Sequence, residues 1–303
     1  MLLTLALIPV VGLLLFIYFN DKKDKEPFGL LAALFFAGMG SVVSALIIET
    51  AGDAVLEMIC GRSPMLKSVL FAMIIVAPAE ELGKFLVLRL ITWKNRHFDY
   101  SYDAIVYAVF VSLGFAALEN VEYVFTNGFL AAFLRMVTAV PGHACFAVFM
   151  GYFYSKAKYA SLSKEHGKSV LHTMLAMLIP IILHGLYDAI VMSSGSTDEV
   201  VFTGLSILLW IGFVIALFVV SIIFIIRSSR HDFCIVSLPD QAQMVYRPQF
   251  IGTWTCSCGT INYLNYCSRC GKQRPLGNLW YCPQCGTLSG FNFCGHCGCQ
   301  RPL

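Results

Sequence analysis

Charge is scarce in this chain. Asp, Glu, Lys and Arg supply 13% of its 303 residues, against about 25% in soluble domains. Hydrophobic residues supply 58%, and the mean hydropathy is +0.73. An ordinary soluble enzyme is excluded, and a membrane protein is expected. The net charge is small too, +3, and nucleic acid is not an expected partner. The sequence also lacks HExxH, which removes the common zinc-protease geometry. It has no serine elbow, and no Cys–His arrangement with local support. Met1–Phe19 is apolar without a basic segment before it, so it is read as a retained first span and not as a cleaved leader.

What is present is a series of apolar runs long enough to span a bilayer, each about 18 residues or more. Seven are read: Leu2–Phe19, Phe28–Ile48, Leu66–Thr92, Tyr102–Phe125, Phe129–Tyr154, Val170–Met192 and Val200–Ile226. Alternate loops are basic. Lys22, Lys23 and Lys25 follow the first run, Lys94 and Arg96 the third, Lys156, Lys158, Lys164 and Lys168 the fifth, and Arg227 and Arg230 the seventh. The intervening loops are poor in Lys and Arg, which puts the N-terminus outside and the C-terminus in the cytoplasm, most simply across the cell membrane. The expected fold class is an all-α polytopic membrane bundle of about seven transmembrane helices, followed by a small cytoplasmic zinc-ribbon domain. The boundaries are 1–230 for the bundle, 231–252 for a linker containing Pro239 and Pro248, and 253–303 for two zinc units.

The few charges inside the apolar runs carry the functional information, because each costs about 2.5–3.5 kcal/mol at mid-membrane on insertion scales. Glu80 and Glu81 sit mid-run, in Ala77-Pro-Ala-Glu-Glu-Leu-Gly-Lys84. Glu80 and Lys84 are i, i+4 neighbours with the acid first, the better order for a pair. Glu81 points about 100° further round the helix, toward another helix. The next run ends in Glu119-Asn120, the fifth contains Pro141-Gly142-His143, and the sixth has His184 and Asp188 on one face. From the topology, all four clusters fall in one layer between mid-membrane and the outer half. A carboxylate there can take a proton from water and return it to a leaving amine, and an imidazole or amide can stabilise an oxyanion. Alternatively, Glu and His can ligate a metal that activates water. Structural ion pairing is the bland reading of each cluster alone; together they point to a reaction centre.

Nine of the twelve cysteines lie between Cys256 and Cys299. Cys256 and Cys258 pair with Cys267 and Cys270, and Cys282 and Cys285 with Cys294 and Cys297. Each set offers four thiolates for one Zn²⁺, with a glycine after each pair to permit the tight turn. About two structural zinc ions are expected, supplying folding energy that such short segments cannot get from a core. His296 and Cys299 are spare ligands.

These residues resemble the PrsW family of intramembrane proteases, related to the CAAX-processing and bacteriocin-processing membrane proteases. The matching pattern is Glu80-Glu81-x-x-Lys84, Phe115-x-x-x-Glu119-Asn120, Pro-Gly-His143 with Gly151, and His184-x-x-x-Asp188, over about residues 1–195. The resemblance implies a polar cavity in a helix bundle and cleavage of a membrane-anchored protein, in known members an anti-sigma factor cut on its extracytoplasmic side. It implies that Glu80 or Glu81 activates water, that Glu119 and His143 position it, and that His184 with Asp188 orients it or stabilises the oxyanion. Lys84 and Asn120 support. Members are classed both as metalloproteases and as glutamate-based hydrolases, so a catalytic metal stays open. The first cysteine unit resembles a shortened Ran-binding-type zinc finger, and a protein partner is expected for the zinc units. The alternative to a peptidase is a non-enzymatic membrane sensor or scaffold signalling through those units.

Overall fold

The computed structural model describes residues 2–60, 63–194, 200–236, 254–262, 280–286 and 288–289, with 269, 294, 296, 299 and 300. It divides into two units, Met1–Ile235 and Val236–Leu303. The first is helical: α1 (Leu2–Asn20), α2 (Phe28–Cys60), α3 (Pro64–Leu70), a π-helical stretch (Phe71–Val76), α4 (Ala77–Thr92), α5 (Asp103–Val137), α6 (Ala139–Leu162), α7 (His166–Ser194) and α8 (Val200–Arg230). Every run read as a span is mostly helical, the fifth being divided at Thr138 between the end of α5 and α6. Five helical segments among the described residues are long and apolar enough to cross a membrane, and α1 is a shorter apolar helix. The third expected span is the composite of α3, the π stretch and α4, and it carries the charged cluster. Helix α2 runs on to Cys60, past the expected end at Ile48, because Glu49 and Thr50 do not interrupt it.

The bundle is inverted relative to a soluble protein. Large apolar side chains face outward, among them Phe28, Met58, Leu90 and Leu208, as contact with lipid allows. Glu80, Glu81, Lys84, Asn120, His143 and His184 are buried inside. Helix α5 is the central strut, packed against α1, α2, α4 and α6, while α7 packs on α6, α4 and α8.

Two local features place the site. Pro78 opens α4 and cannot donate a backbone hydrogen bond, and its ring crowds the preceding turn. The wide π turn just before it relieves that crowding, with Ala77 N–H donating to Ala72 O. The expected disturbance at Pro78 is therefore a local change of winding immediately ahead of Glu80 and Glu81. The second feature is Gly128, whose φ of 78° and ψ of −164° break α5. The chain turns back there, close to the expected gap between the fourth and fifth spans.

At the end with the basic loops, residues 231–235, read from the sequence as the start of the linker, pair with the loop before α5. Ser101 N–H donates to Phe233 O at 2.9 Å, and Ile235 N–H to Asp99 O at 2.7 Å. The Asp232 carboxylate accepts from Ser101 Oγ and Tyr102 N–H, each at 2.8 Å.

In the second unit, two short antiparallel hairpins are described, β1 (Trp254–Thr255) with β2 (Ile261–Asn262), and β3 (Trp280–Tyr281) with β4 (Leu288–Ser289). Gly259 and Gly286 both adopt positive φ, 83° and 70°, and their N–H groups donate to Cys256 O and Cys282 O at 2.8 Å. Both turns end on a left-handed glycine, with the first turn one residue shorter than the second.

Candidate active site

Lys84 is the hub. Its ammonium, fully buried, donates to Glu80 Oε2 at 2.9 Å and to Glu81 Oε1 at 2.8 Å. Its third partner is His143 Nδ1 at 3.1 Å, and it lies 4.0 Å from the centre of the Phe115 ring. The sequence reading gave the lysine to one carboxylate and sent the other toward a neighbouring helix. In fact i+3 and i+4 spacings let one ammonium serve both, and Glu81 also meets another helix, through His184 Nδ1 at 2.9 Å.

Hydrogen-bond chemistry fixes the protons. A lysine only donates, so His143 Nδ1 accepts and its Nε2–H donates to Glu119 Oε2 at 2.9 Å. His184 faces a carboxylate on each side, Glu81 at Nδ1 and Asp188 Oδ2 at Nε2, 3.1 Å away; the imidazolium form satisfies both. His184 stacks on Phe146, with ring centroids 4.8 Å apart and planes at 19°. The two imidazoles meet edge to face at 5.2 Å.

A cavity of about 330 Å³ opens onto this cluster and is lined by Glu80, Glu119, His143, His184 and Asp188. Glu49 of α2 and Arg135 of the segment after Gly128 line it too. Glu81 and Asn120 do not. Of the eight residues singled out, seven therefore converge in or directly behind one chamber. Asn120 stands apart: its Nδ2 donates to Ala6 O at 3.0 Å, and its Oδ1 accepts from Arg135 Nε at 3.1 Å. It braces α1 against α5.

Arg135 is the functional candidate that sequence reasoning missed. Its Nη2 is 2.7 Å from Glu119 Oε1. The signal was available, since it is the only Lys or Arg between Arg96 and Lys156 and lies in an apolar run. Glu49 was missed because it looked like the end of a span.

Glu80, Glu81, His143 and His184 offer ligand atoms all within 4.8 Å of one another, and Glu81 Oε2 is buried without a hydrogen-bond partner. Two carboxylates and two imidazoles suit a divalent metal in kind, although Lys84 now fills the space between three of them. In the second unit, the ligand atoms of Cys282, Cys285 and Cys294 likewise lie within 4.8 Å of one another, with Cys299 packed against them. Cys256 is buried and Cys258 exposed. Cys267, Cys270 and Cys297 lie outside the described residues; His296 is exposed.

The family described as "PrsW family intramembrane metalloprotease" matches residues 26–225. The chain belongs to the PrsW family. Among curated relatives, Protease PrsW of Oceanobacillus iheyensis is 35% identical over 209 residues, covering 69% of this chain and 91% of the relative. Protease PrsW of Bacillus subtilis is 34% identical over 182 residues, covering 60% and 78%. That of Geobacillus kaustophilus is 32% identical over 189 residues, covering 62% and 78%. No solved structure matches. The protein is thus an intramembrane peptidase and a multi-pass membrane protein, and the match spans the helices that carry the polar cluster.

Proposed function

We propose that the buried cluster is the peptide-cleaving centre and that Glu80 is its general base. The observation that carries this reading is the convergence of Glu80, Glu81, His143 and His184, from three helices, within 4.8 Å of one another, with Glu80, His143 and His184 on the wall of one cavity inside an otherwise apolar bundle. Of the two adjacent glutamates, Glu80 lines the cavity while Glu81 is wholly buried behind it. Glu80 takes a proton from a water in the cavity as that water attacks the scissile carbonyl, then returns it to the leaving amine. Lys84 holds the Glu80 carboxylate in place. Glu81 and Asp188 clamp His184, whose positive charge acts on the developing oxyanion through the field. Glu119 holds His143, and His143 supports Lys84. If the centre holds a divalent metal, Glu80, Glu81, His143 and His184 are its ligands and Lys84 gives way; the ion then supplies Lewis acidity toward water and carbonyl.

The substrate class is a membrane-anchored protein, of the anti-sigma-factor type, cleaved toward the extracytoplasmic side. The loop charges support this, with the C-terminal unit cytoplasmic and the cavity in the outer half of the cell membrane. The second unit is read as two zinc units that engage a protein partner. The positive-φ glycine that ends each turn and the Cys282–Cys285–Cys294 cluster support it. Glu80→Ala, Glu81→Ala and His184→Ala are each expected to abolish cleavage of a single-span reporter in cells while the protein still accumulates in the membrane. Wild-type cleavage by all three rejects these residues as the cleaving centre.

A further inference from the structure

We propose that Arg135 is a positioning residue of the peptidase centre, brought there by the chain reversal at Gly128. This rests on reading the buried cluster as the site of cleavage.

Arg135 lies 15 positions beyond Asn120. On an unbroken helix that is about 22 Å. Instead Arg135 Nε donates to Asn120 Oδ1 at 3.1 Å, and Nη2 sits 2.7 Å from Glu119 Oε1. Only a fold-back permits both contacts. The backbone of Gly128, φ 78° with ψ −164°, belongs to a region essentially closed to residues with a Cβ. The segment that returns is apolar outward, with Phe129, Leu130, Phe133, Leu134 and Val137 exposed. An arginine in such a segment ordinarily snorkels to the interface. Arg135 turns inward, lies 3.9 Å over the Tyr123 ring, and has a side chain only 16% exposed.

The contact is useful because of what lies beyond it. Arg135 engages Oε1 of Glu119 and leaves Oε2 for His143 Nε2–H at 2.9 Å. With that hydrogen fixed on Nε2, Nδ1 accepts from Lys84 at 3.1 Å, and Lys84 holds Glu80. Without Arg135, Glu119 loses its fixed orientation, His143 loses the partner that selects its tautomer, and Lys84 loses a neutral acceptor. Arg135 therefore acts on Glu80 through three intermediates and touches none of the reacting atoms.

The test uses purified full-length protein in proteoliposomes with a single-span peptide substrate, with rates expressed per folded molecule. Arg135→Gln is expected to lower kcat on the order of 10–100-fold with KM little changed. Arg135→Lys is expected to fall between, since it restores the charge but not the planar fork. Gly128→Ala, which keeps the arginine in the chain but strains the reversal that carries it to Glu119, should reproduce the kcat loss. Glu119→Gln combined with Arg135→Gln should cost no more than the larger single loss, because both act through one unit. A purely structural role lowers the folded fraction and leaves kcat per folded molecule unchanged; that result, or additive losses in the double variant, overturns the proposal. If Arg135→Gln does not fold, Arg135→Lys and Gly128→Ala decide, and full kcat in both overturns it. Failure of the underlying reading looks different: Glu80→Gln then cleaves as fast as wild type.

Discussion

Lys84 shows how much one residue can organise when water is absent. Three hydrogen bonds exhaust its donors, two to carboxylates and one to an imidazole. Removing one partner of a buried pair costs roughly 3–5 kcal/mol, because the abandoned charges have nowhere to go. Lys84→Met is therefore expected to lower the thermal unfolding midpoint of the purified protein sharply, and adding Glu81→Gln to recover part of the loss. An unchanged midpoint in Lys84→Met contradicts the hub. Glu80, Glu81, Lys84, His143, His184 and Asp188 were legible in the sequence because charge stands out in an apolar run and i, i+4 spacing states who shares a face. Arg135 was not legible as a partner of Glu119, since that contact depends on the backbone of Gly128. Which of the adjacent glutamates lines the cavity was hidden for a related reason: helical periodicity gives their angular offset but not which side carries the cavity.

Among the elements, helix existence followed directly from apolar length, while helix ends did not. Helix α2 continues twelve residues past its expected end at Ile48, because polar residues do not by themselves stop a helix and the one glycine in that stretch, Gly52, is tolerated within it. The π stretch ahead of Pro78 had only the proline as its trace. Pairing of residues 233–235 with 99–101 left no pattern in so short a segment. That seam is flanked by buried acids in the loop between α1 and α2. Burial raises Asp21 from 3.8 to about 6, and Glu26 from 4.5 to about 8, against the opposing pull of Lys25 and of the Tyr107 hydroxyl respectively. The folded state thus keeps protons that the unfolded chain has released. Their contribution to stability is present below about pH 4 and is lost as pH rises through about 6 for Asp21 and about 8 for Glu26. Amide exchange at Ser101 and Ile235 is expected to quicken from pH 5 to pH 8.5 once corrected for intrinsic rate. A flat corrected profile, or slower exchange at the higher pH, contradicts this.

For the whole molecule, two separate kinds of stabilisation are at work. The helical unit turns apolar side chains outward and pairs the charged groups of its centre with one another, so its integrity depends on those internal partners. Among the described residues, the small second unit buries Trp280 with cysteines, and a bound metal is its expected source of folding energy. About two zinc ions per chain are expected by elemental analysis, falling by about one in Cys282→Ser with reporter cleavage in proteoliposomes retained. Loss of cleavage with the zinc ties the two units functionally; no zinc in the wild type removes the ribbon assignment and leaves the peptidase standing. The chamber at the heart of the first unit is the claim on which the rest depends. Its most direct test is the single-turnover rate of reporter cleavage by reconstituted Glu80→Gln, beside wild type and at matched thermal stability. Cleavage is expected to fall to the background rate while substrate still binds; cleavage at the wild-type rate excludes Glu80 as the general base.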